Sequence, residues 1–351
     1  MPVSLTVKEK FVIIIPGYGS LKQGFPCITA LLFDSDRRLI DIATGHLPAT
    51  VEMDDKFLET TIKRLSILPR RLIATKDQIT NFSYKEIHQR VDKFSKQFKD
   101  WLSSASFLPI QKTIYQNLDP KEPIQIIFQT KDVEVQRLPW HLWSILDDYP
   151  NAEISYSLSN NKVGKNWHPK TTLKILSILG NSEGIDVESD RQILENLPNA
   201  EVKFLVQPTR RELTEQLWSD RGWDLLTFSG HSLTKDGDGE IFINDKDNPT
   251  ISQLKYAFKQ AIANGLQLGV FNSCNGLGLA AQLGYFNLPR AIVMRELVPD
   301  RVAQEFIKQF FHALIEDNCI HKSVRQAREK LQGLEDELPC ASWLPVMFRG
   351  F

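Results

Sequence analysis

The sequence predicts an α/β protein: a mostly parallel sheet covered by helices on both faces, preceded by an N-terminal module of mixed α and β character. Three observations predict it. From Leu173 onward, short apolar runs alternate with segments of helical periodicity, the rhythm of a parallel sheet with crossover helices. Ahead of that region, apolar runs and one long amphipathic stretch follow no such alternation. A chain of 351 residues, 42% of them hydrophobic, is also long enough for roughly two domains and a large core.

In chain order, Phe11 to Ile15 reads as a short buried strand stopped by Pro16-Gly17. Cys27 to Phe33 and Leu39 to Ala43 read as two strands joined at Asp34-Ser35-Asp36. Ser83 and Glu86 form a capping box ahead of a helix whose apolar face carries Tyr84, Ile87, Val91, Phe94, Phe98 and Trp101. The basic cluster Lys63, Arg64, Arg70, Arg71 reads as a solvated loop or helix end. From Asn151 to Thr172 the chain turns polar, which predicts a linker or exposed loop, with Lys162, Lys165 and Lys170 marking a candidate processing site.

The alternating region follows. Strands are expected at Leu173 to Leu179, Val202 to Val206, Trp223 to Phe228, Leu266 to Phe271 and Ala291 to Met294. Helices are expected at Asp190 to Leu197, Arg210 to Trp218, Ile251 to Ala263, Gly278 to Leu283 and Val302 to Ile315, the last with Asp300 as its N-cap. A hairpin turn is expected at Asp236 to Glu240, where Ile241 stands in place of the glycine a calcium loop needs.

Composition excludes several functions. With 42 Lys+Arg against 43 Asp+Glu the net charge is -1, which offers no general attraction to nucleic acid or an anionic membrane. No apolar run approaches the length of a membrane helix, and nothing at the start resembles a secretion signal. The four cysteines, at 27, 274, 319 and 340, are too few and too scattered for a disulfide framework and fit a reducing cytoplasm. Cys27 and Cys340 read as core. His312, Cys319 and His321 fit no ordinary zinc spacing, and neither metal nor cofactor is expected.

One constellation carries chemistry. In an open parallel sheet, functional groups gather just past the carboxyl ends of strands. The strand ending at Phe228 runs into Ser229-Gly230-His231-Ser232, and the strand ending at Phe271 runs into Asn272-Ser273-Cys274-Asn275-Gly276. If these strands are parallel neighbours, His231 and Cys274 leave the same edge. A thiol is mostly protonated at neutral pH; a nearby imidazole and the start of the following helix would raise its thiolate fraction. Backbone N–H groups at Cys274 and just after Gly230 could receive an oxyanion, a contact typically worth about 3 to 4 kcal/mol. A Cys-x5-Arg phosphatase loop fails because Ala280 stands at the arginine position, and a dithiol site fails because no second cysteine is close.

These blocks, with Leu138-Pro139-Trp140-His141-Leu142-Trp143 and Ala341 to Phe348, resemble the CHAT family, relatives of caspases and separases in the caspase-like clan of cysteine peptidases. Gln23-Gly24-Phe25-Pro26 and Gly45-His46-Leu47-Pro48 resemble the leader of many cyanobacterial members. The resemblance implies a caspase-like α/β/α sandwich over residues 138–351, an N-terminal α+β module over 1–137, and a cysteine endopeptidase of a bacterial cytoplasm. It implies Cys274 as nucleophile, His231 as general base and acid, and oxyanion contacts from the backbone of Gly230, Ser232 and Cys274. Glu183, Asp186, Asn272, Arg295 and Glu296 are the candidate substrate pocket, with Glu188 beside the first two; Asn272 replaces an aspartate common in arginine-specific relatives. The tetratricopeptide repeats that often accompany the family are absent from this sequence. The expected partners are a protein substrate and a regulatory protein. A non-catalytic adaptor of the same fold is the alternative. Trp140 and Trp143 are expected to pack the boundary between lobes or to line a substrate groove.

Overall fold

A computed structural model of the chain describes residues 9–50, 53, 60–61, 84–158, 167, 170–235, 237–274 and 276–350. The basic cluster at 63–71, the capping Ser83, and Lys162 and Lys165 lie outside the described residues. The chain divides into two compact units: residues 1–157 with 334–343, and residues 158–333 with 344–351.

The first unit holds β1 (Lys10–Ile15), β2 (Phe25–Phe33), β3 (Leu39–Leu47), helix α1 (Tyr84–Leu102), helix α2 (Leu108–Asn117), β4 (Ile124–Gln129) and β5 (Ala152–Ser157). Its strands lie in the order β3-β2-β1-β4-β5. The β3/β2 and β2/β1 pairs are antiparallel, whereas β1, β4 and β5 run parallel. The Asp34 carboxylate closes the β2–β3 turn by accepting the backbone N–H groups of Asp36 and Arg38, as the sequence predicts. Phe94, Phe98 and Trp101 recur on α1 at helical spacing and are all buried. Phe98 and Trp140 pack with ring centroids 5.7 Å apart, and Trp140 lies 4.3 Å from Phe128.

Three expectations for this unit are corrected. Trp140 and Trp143 are each 1% exposed and pack inside the unit, so neither lines a groove. Their environment is the aromatic cluster itself, where Trp140 Nε1 donates to the Val135 carbonyl. The polar stretch expected as a linker from Asn151 instead begins with β5, all six residues of which are buried. Its Glu and Ser side chains hide the strand from a hydropathy reading, yet parallel pairing with β4 satisfies its backbone. Cys27 is exposed, because a register shift between Phe25 and Ile28 turns both intervening side chains outward. Cys340 is buried, and burial raises its thiol well above the ordinary range.

The second unit contains β6 (Leu173–Leu179), α3 (Val187–Glu195), β7 (Ala200–Val206), α4 (Arg210–Leu217), β8 (Leu225–Ser229), β9 (Ser232–Lys235), β10 (Asp238–Ile241), α5 (Lys255–Ala263), β11 (Leu268–Asn272), α6 (Leu277–Tyr285), β12 (Arg290–Met294), α7 (Asp300–Asp317), α8 (Ile320–Lys330) and β13 (Pro345–Arg349). Its strand order is β13-β12-β11-β8-β6-β7. All neighbours are parallel except β13, which runs antiparallel to β12. Every residue of β8, β11 and β12 is buried, as expected of strands covered on both faces. β9 and β10 form a separate antiparallel hairpin, as expected, but β10 already begins at Asp238, inside the stretch expected as the turn.

The order β11-β8-β6-β7 is what positions the site, because it sets β8 beside β11 although two strands and a helix separate them in sequence. One capping expectation is corrected here. Asp300 is the first helical residue of α7, behind Pro299 at the cap position. Its carboxylate accepts the backbone N–H of Asp186 at 3.4 Å.

Candidate active site

The two loops picked out by sequence leave adjacent points of the sheet. β8 and β11 are parallel, with Ser229 in register with Asn272, so the strands stand about 4.8 Å apart at that level. His231 follows two residues after Ser229, and Cys274 two residues after Asn272. Both are intermediate in exposure.

The His231 arm is held by its backbone. The Ser229 carbonyl accepts the Gly180 N–H at 2.8 Å, the Asn181 carbonyl accepts the His231 N–H at 3.3 Å, and the His231 carbonyl accepts the Phe242 N–H at 3.0 Å. Gly180 is required there: a Cβ would lie 2.4 Å from the Phe242 carbonyl oxygen. The ring is oriented as well, since His231 Nε2 lies 2.9 Å from the Glu183 carbonyl oxygen. A carbonyl can only accept, so Nε2 carries the hydrogen and, in the neutral ring, Nδ1 holds the free lone pair.

The Cys274 arm leads into α6. Gly276 caps that helix, and its N–H donates to the Met294 carbonyl at 2.8 Å. A Cβ on Gly276 would come within 2.6 Å of Val293, and one on Gly278 within 2.5 Å of Thr234. Small residues therefore let the helix start sit close against both β12 and the β9 hairpin. The positive end of α6 lies just past Cys274, where it favours the thiolate.

Ser232 ties the two arms together through its side chain. Its hydroxyl oxygen lies 2.5 Å from the Cys274 carbonyl oxygen and 2.8 Å from the Ser273 hydroxyl. One hydroxyl hydrogen serves one acceptor, so Ser232 donates to the carbonyl and Ser273 donates to Ser232. Sequence reading assigns Ser232 a backbone role only.

The remaining candidates are dispersed. Glu183 and Asp186 are exposed on the segment after β6. Asp186 is the N-cap of α3: its carboxylate accepts the Ser189 N–H at 3.1 Å and the Ser189 hydroxyl at 2.5 Å, and those bonds hold its pKa below the usual value. Arg295 and Glu296, just past β12, are 4% and 3% exposed. Asn272 is 7% exposed, and its amide donates to Asp190 Oδ2 at 2.9 Å.

Asp190 is a residue that the motifs do not reveal. It is 3% exposed, and burial lifts its carboxyl to about 6, against the hydrogen bonds of Ser229 and Asn272 and with the nearby charges of Asp186 and Asp300 adding to the rise. A signal was available in the sequence. Asp190, Leu194 and Leu197 share helical spacing, so an acid occupies a core-facing position of α3.

The CHAT domain family matches residues 100–347. No curated protein matches the chain in sequence. Among solved structures, the chain is similar to one in the Saccharomyces cerevisiae separase–securin complex, with a TM-score of 0.59 at 11% identity over 99% of this chain and 30% of that one. The Drosophila initiator caspase Dronc aligns over 48% of this chain and 75% of its own, with a TM-score of 0.33 at 11% identity. The chain thus spans about a third of the separase-complex chain it matches. Among the described residues no helix is long and apolar enough to cross a membrane.

Proposed function

The chain belongs to the CHAT domain family, and on that premise we propose that it is a cysteine endopeptidase using Cys274 and His231 on a specific protein partner in the cytoplasm. The observation that carries this reading is the parallel register of Ser229 with Asn272, from which both loops depart. The fold shared with a chain of the separase–securin complex supports it.

In this reading His231 Nδ1 takes the thiol proton, and the Cys274 sulfur attacks the scissile carbonyl. The tetrahedral oxyanion is received by backbone N–H groups among Gly230, Ser232 and Cys274. Collapse breaks the C–N bond, the imidazolium gives its proton to the departing amine, and a thioester remains on Cys274. Water, deprotonated by His231, then attacks the thioester, and the thiol leaves with the proton returned to it. Of the candidate pocket residues, exposed Glu183 and Asp186 are carried as substrate-facing, whereas Asn272, Arg295 and Glu296 are buried. Residues 1–137 are carried as the partner-responsive part and 138–351 as the catalytic part.

The alternative reading is a non-catalytic adaptor of the same fold. Alkylation by iodoacetamide, read by mass spectrometry at each cysteine, separates the two. Rapid reaction at Cys274 that is slowed by His231→Ala supports the peptidase. Reaction at Cys274 no faster than at exposed Cys27 supports the adaptor.

A further inference from the structure

We propose that Asp190 is a positioning residue of the Cys274–His231 site, holding in register the two strand ends from which both reactive loops leave; this rests on the peptidase reading above. Three observations converge on it. First, Asn272 donates to Asp190 Oδ2 at 2.9 Å, and Asn272 is the last residue of β11, two before Cys274. Second, Ser229, the last residue of β8, in register with Asn272 and two before His231, stands close enough to the Asp190 carboxyl for its side chain to lower the Asp190 pKa. Third, the segment leading into α3 supplies the Glu183 carbonyl that orients the His231 ring. One short element thus reaches both arms of the site from beneath.

The chemistry of the cluster is unusual for a core. Asp190 Oδ1 and Asn272 Oδ1 are both buried and accept no hydrogen bond from the described residues. An uncharged pair of apolar side chains would fill the space without leaving those acceptors unmatched. A buried carboxylate that is costly to keep, directly under two reactive loops, is the pattern of a group retained for what it does to its neighbours. The ionised form is the stronger acceptor for the Asn272 amide, so positioning is tightest when Asp190 carries its charge. Asp186 at the cap of α3 and Asp300 at the start of α7 are the charged groups that oppose this ionisation.

The test is the alkylation rate of Cys274 by iodoacetamide between pH 5 and pH 9 in the full chain, with Cys27 as internal reference. Asp190→Leu keeps the branching and the heavy-atom count and removes the acceptor, and it is expected to slow Cys274 at pH 8 by about tenfold without lowering the melting temperature. Asp190→Asn keeps an acceptor and loses the charge, and a fall of only about threefold is expected. The wild-type profile carries an inflection near pH 6 that Asp190→Asn lacks, a difference a purely structural role would not produce. Should Asp190→Leu fail to fold, Asn272→Ala breaks the same contact from the other side and is expected to show the same tenfold loss. Wild-type rates in Asp190→Leu or Asn272→Ala, with Cys274 still dependent on His231, overturn the positioning role and leave the peptidase reading standing. A wild-type Cys274 no faster than Cys27 overturns both.

Discussion

The second unit carries a cysteine and a histidine in two quite different settings. Cys319 and His321 lie two residues apart at the start of α8, with Sγ 3.3 Å from Nδ1, and they are 4% and 1% exposed. Cys274 and His231 are distant in sequence, stand on the ends of neighbouring parallel strands, and are both partly exposed. The first pair is close because the chain is short between its members; the loops that carry the second leave neighbouring strands only through sheet order. Contact between the two groups is therefore the weaker criterion. A nucleophile also needs an approach for a carbonyl, a donor array for the oxyanion and a helix start to favour the thiolate. Both cysteines stand at a helix start, but Cys274 is partly exposed, whereas Cys319 is sealed in the core.

Mutation can break this contrast, and the largest effect is expected at the nucleophile. Cys274→Ala should reduce peptide hydrolysis on the order of 10⁵-fold or more with an unchanged circular dichroism spectrum, while Cys319→Ala should leave turnover in place. Hydrolysis that survives in Cys274→Ala removes the distinction. Next in size is the imidazole: His231→Ala should lower kcat/KM by about 10² to 10⁴-fold with little change in melting temperature. His321→Ala should do the reverse, costing about 2 to 4 kcal/mol in urea unfolding because it empties a buried position.

Asp190 gives a pH-dependent prediction. Its carboxyl rises from 3.8 to about 6 in the fold, so the fold prefers the protonated acid. The stability it confers is complete below the unfolded value and is lost as pH climbs through about 6. Above pH 7 the buried charge costs about 3 kcal/mol. Asp190→Asn, which cannot ionise, should therefore be more stable than wild type at pH 8 by up to that amount and nearly equal at pH 4, measured by urea midpoints. A variant that gains stability while losing Cys274 reactivity separates positioning from folding.

The smallest effects belong to the other thiols. Cys319→Ala should cost about 1 to 2 kcal/mol from its small cavity. Cys27→Ser, at an exposed bulge position, should change stability by less than about 0.5 kcal/mol. A larger loss at Cys27 would show that the β2 bulge is built differently.

Much of this arrangement is legible along the chain. The expected strands at Leu173 to Leu179 and Ala291 to Met294 fall on β6 and β12, and the long helices fall on α1 and α7. Each is a contiguous run whose periodicity alone selects its conformation. The loops after Phe228 and Phe271 are legible for the same reason, since small residues follow an apolar run. β5 is not legible, because burial on both faces is a property of its neighbours, and its polar composition points the other way. The outward turn of Cys27 depends on a bulge in pairing with β3, which residues 25–28 do not encode by themselves.

By itself, then, the sequence determined most of the alternating strands and helices after Leu173, the loops that carry His231 and Cys274, and the family, because propensity, periodicity and motif spacing are local. Only the tertiary structure decided that β8 lies beside β11, that the Ser232 hydroxyl ties the cysteine loop to the histidine loop, and that Asp190 sits under both strand ends. Those facts depend on strand order and on which helix covers which edge, and contacts between residues far apart in the chain leave no periodic trace in either segment alone.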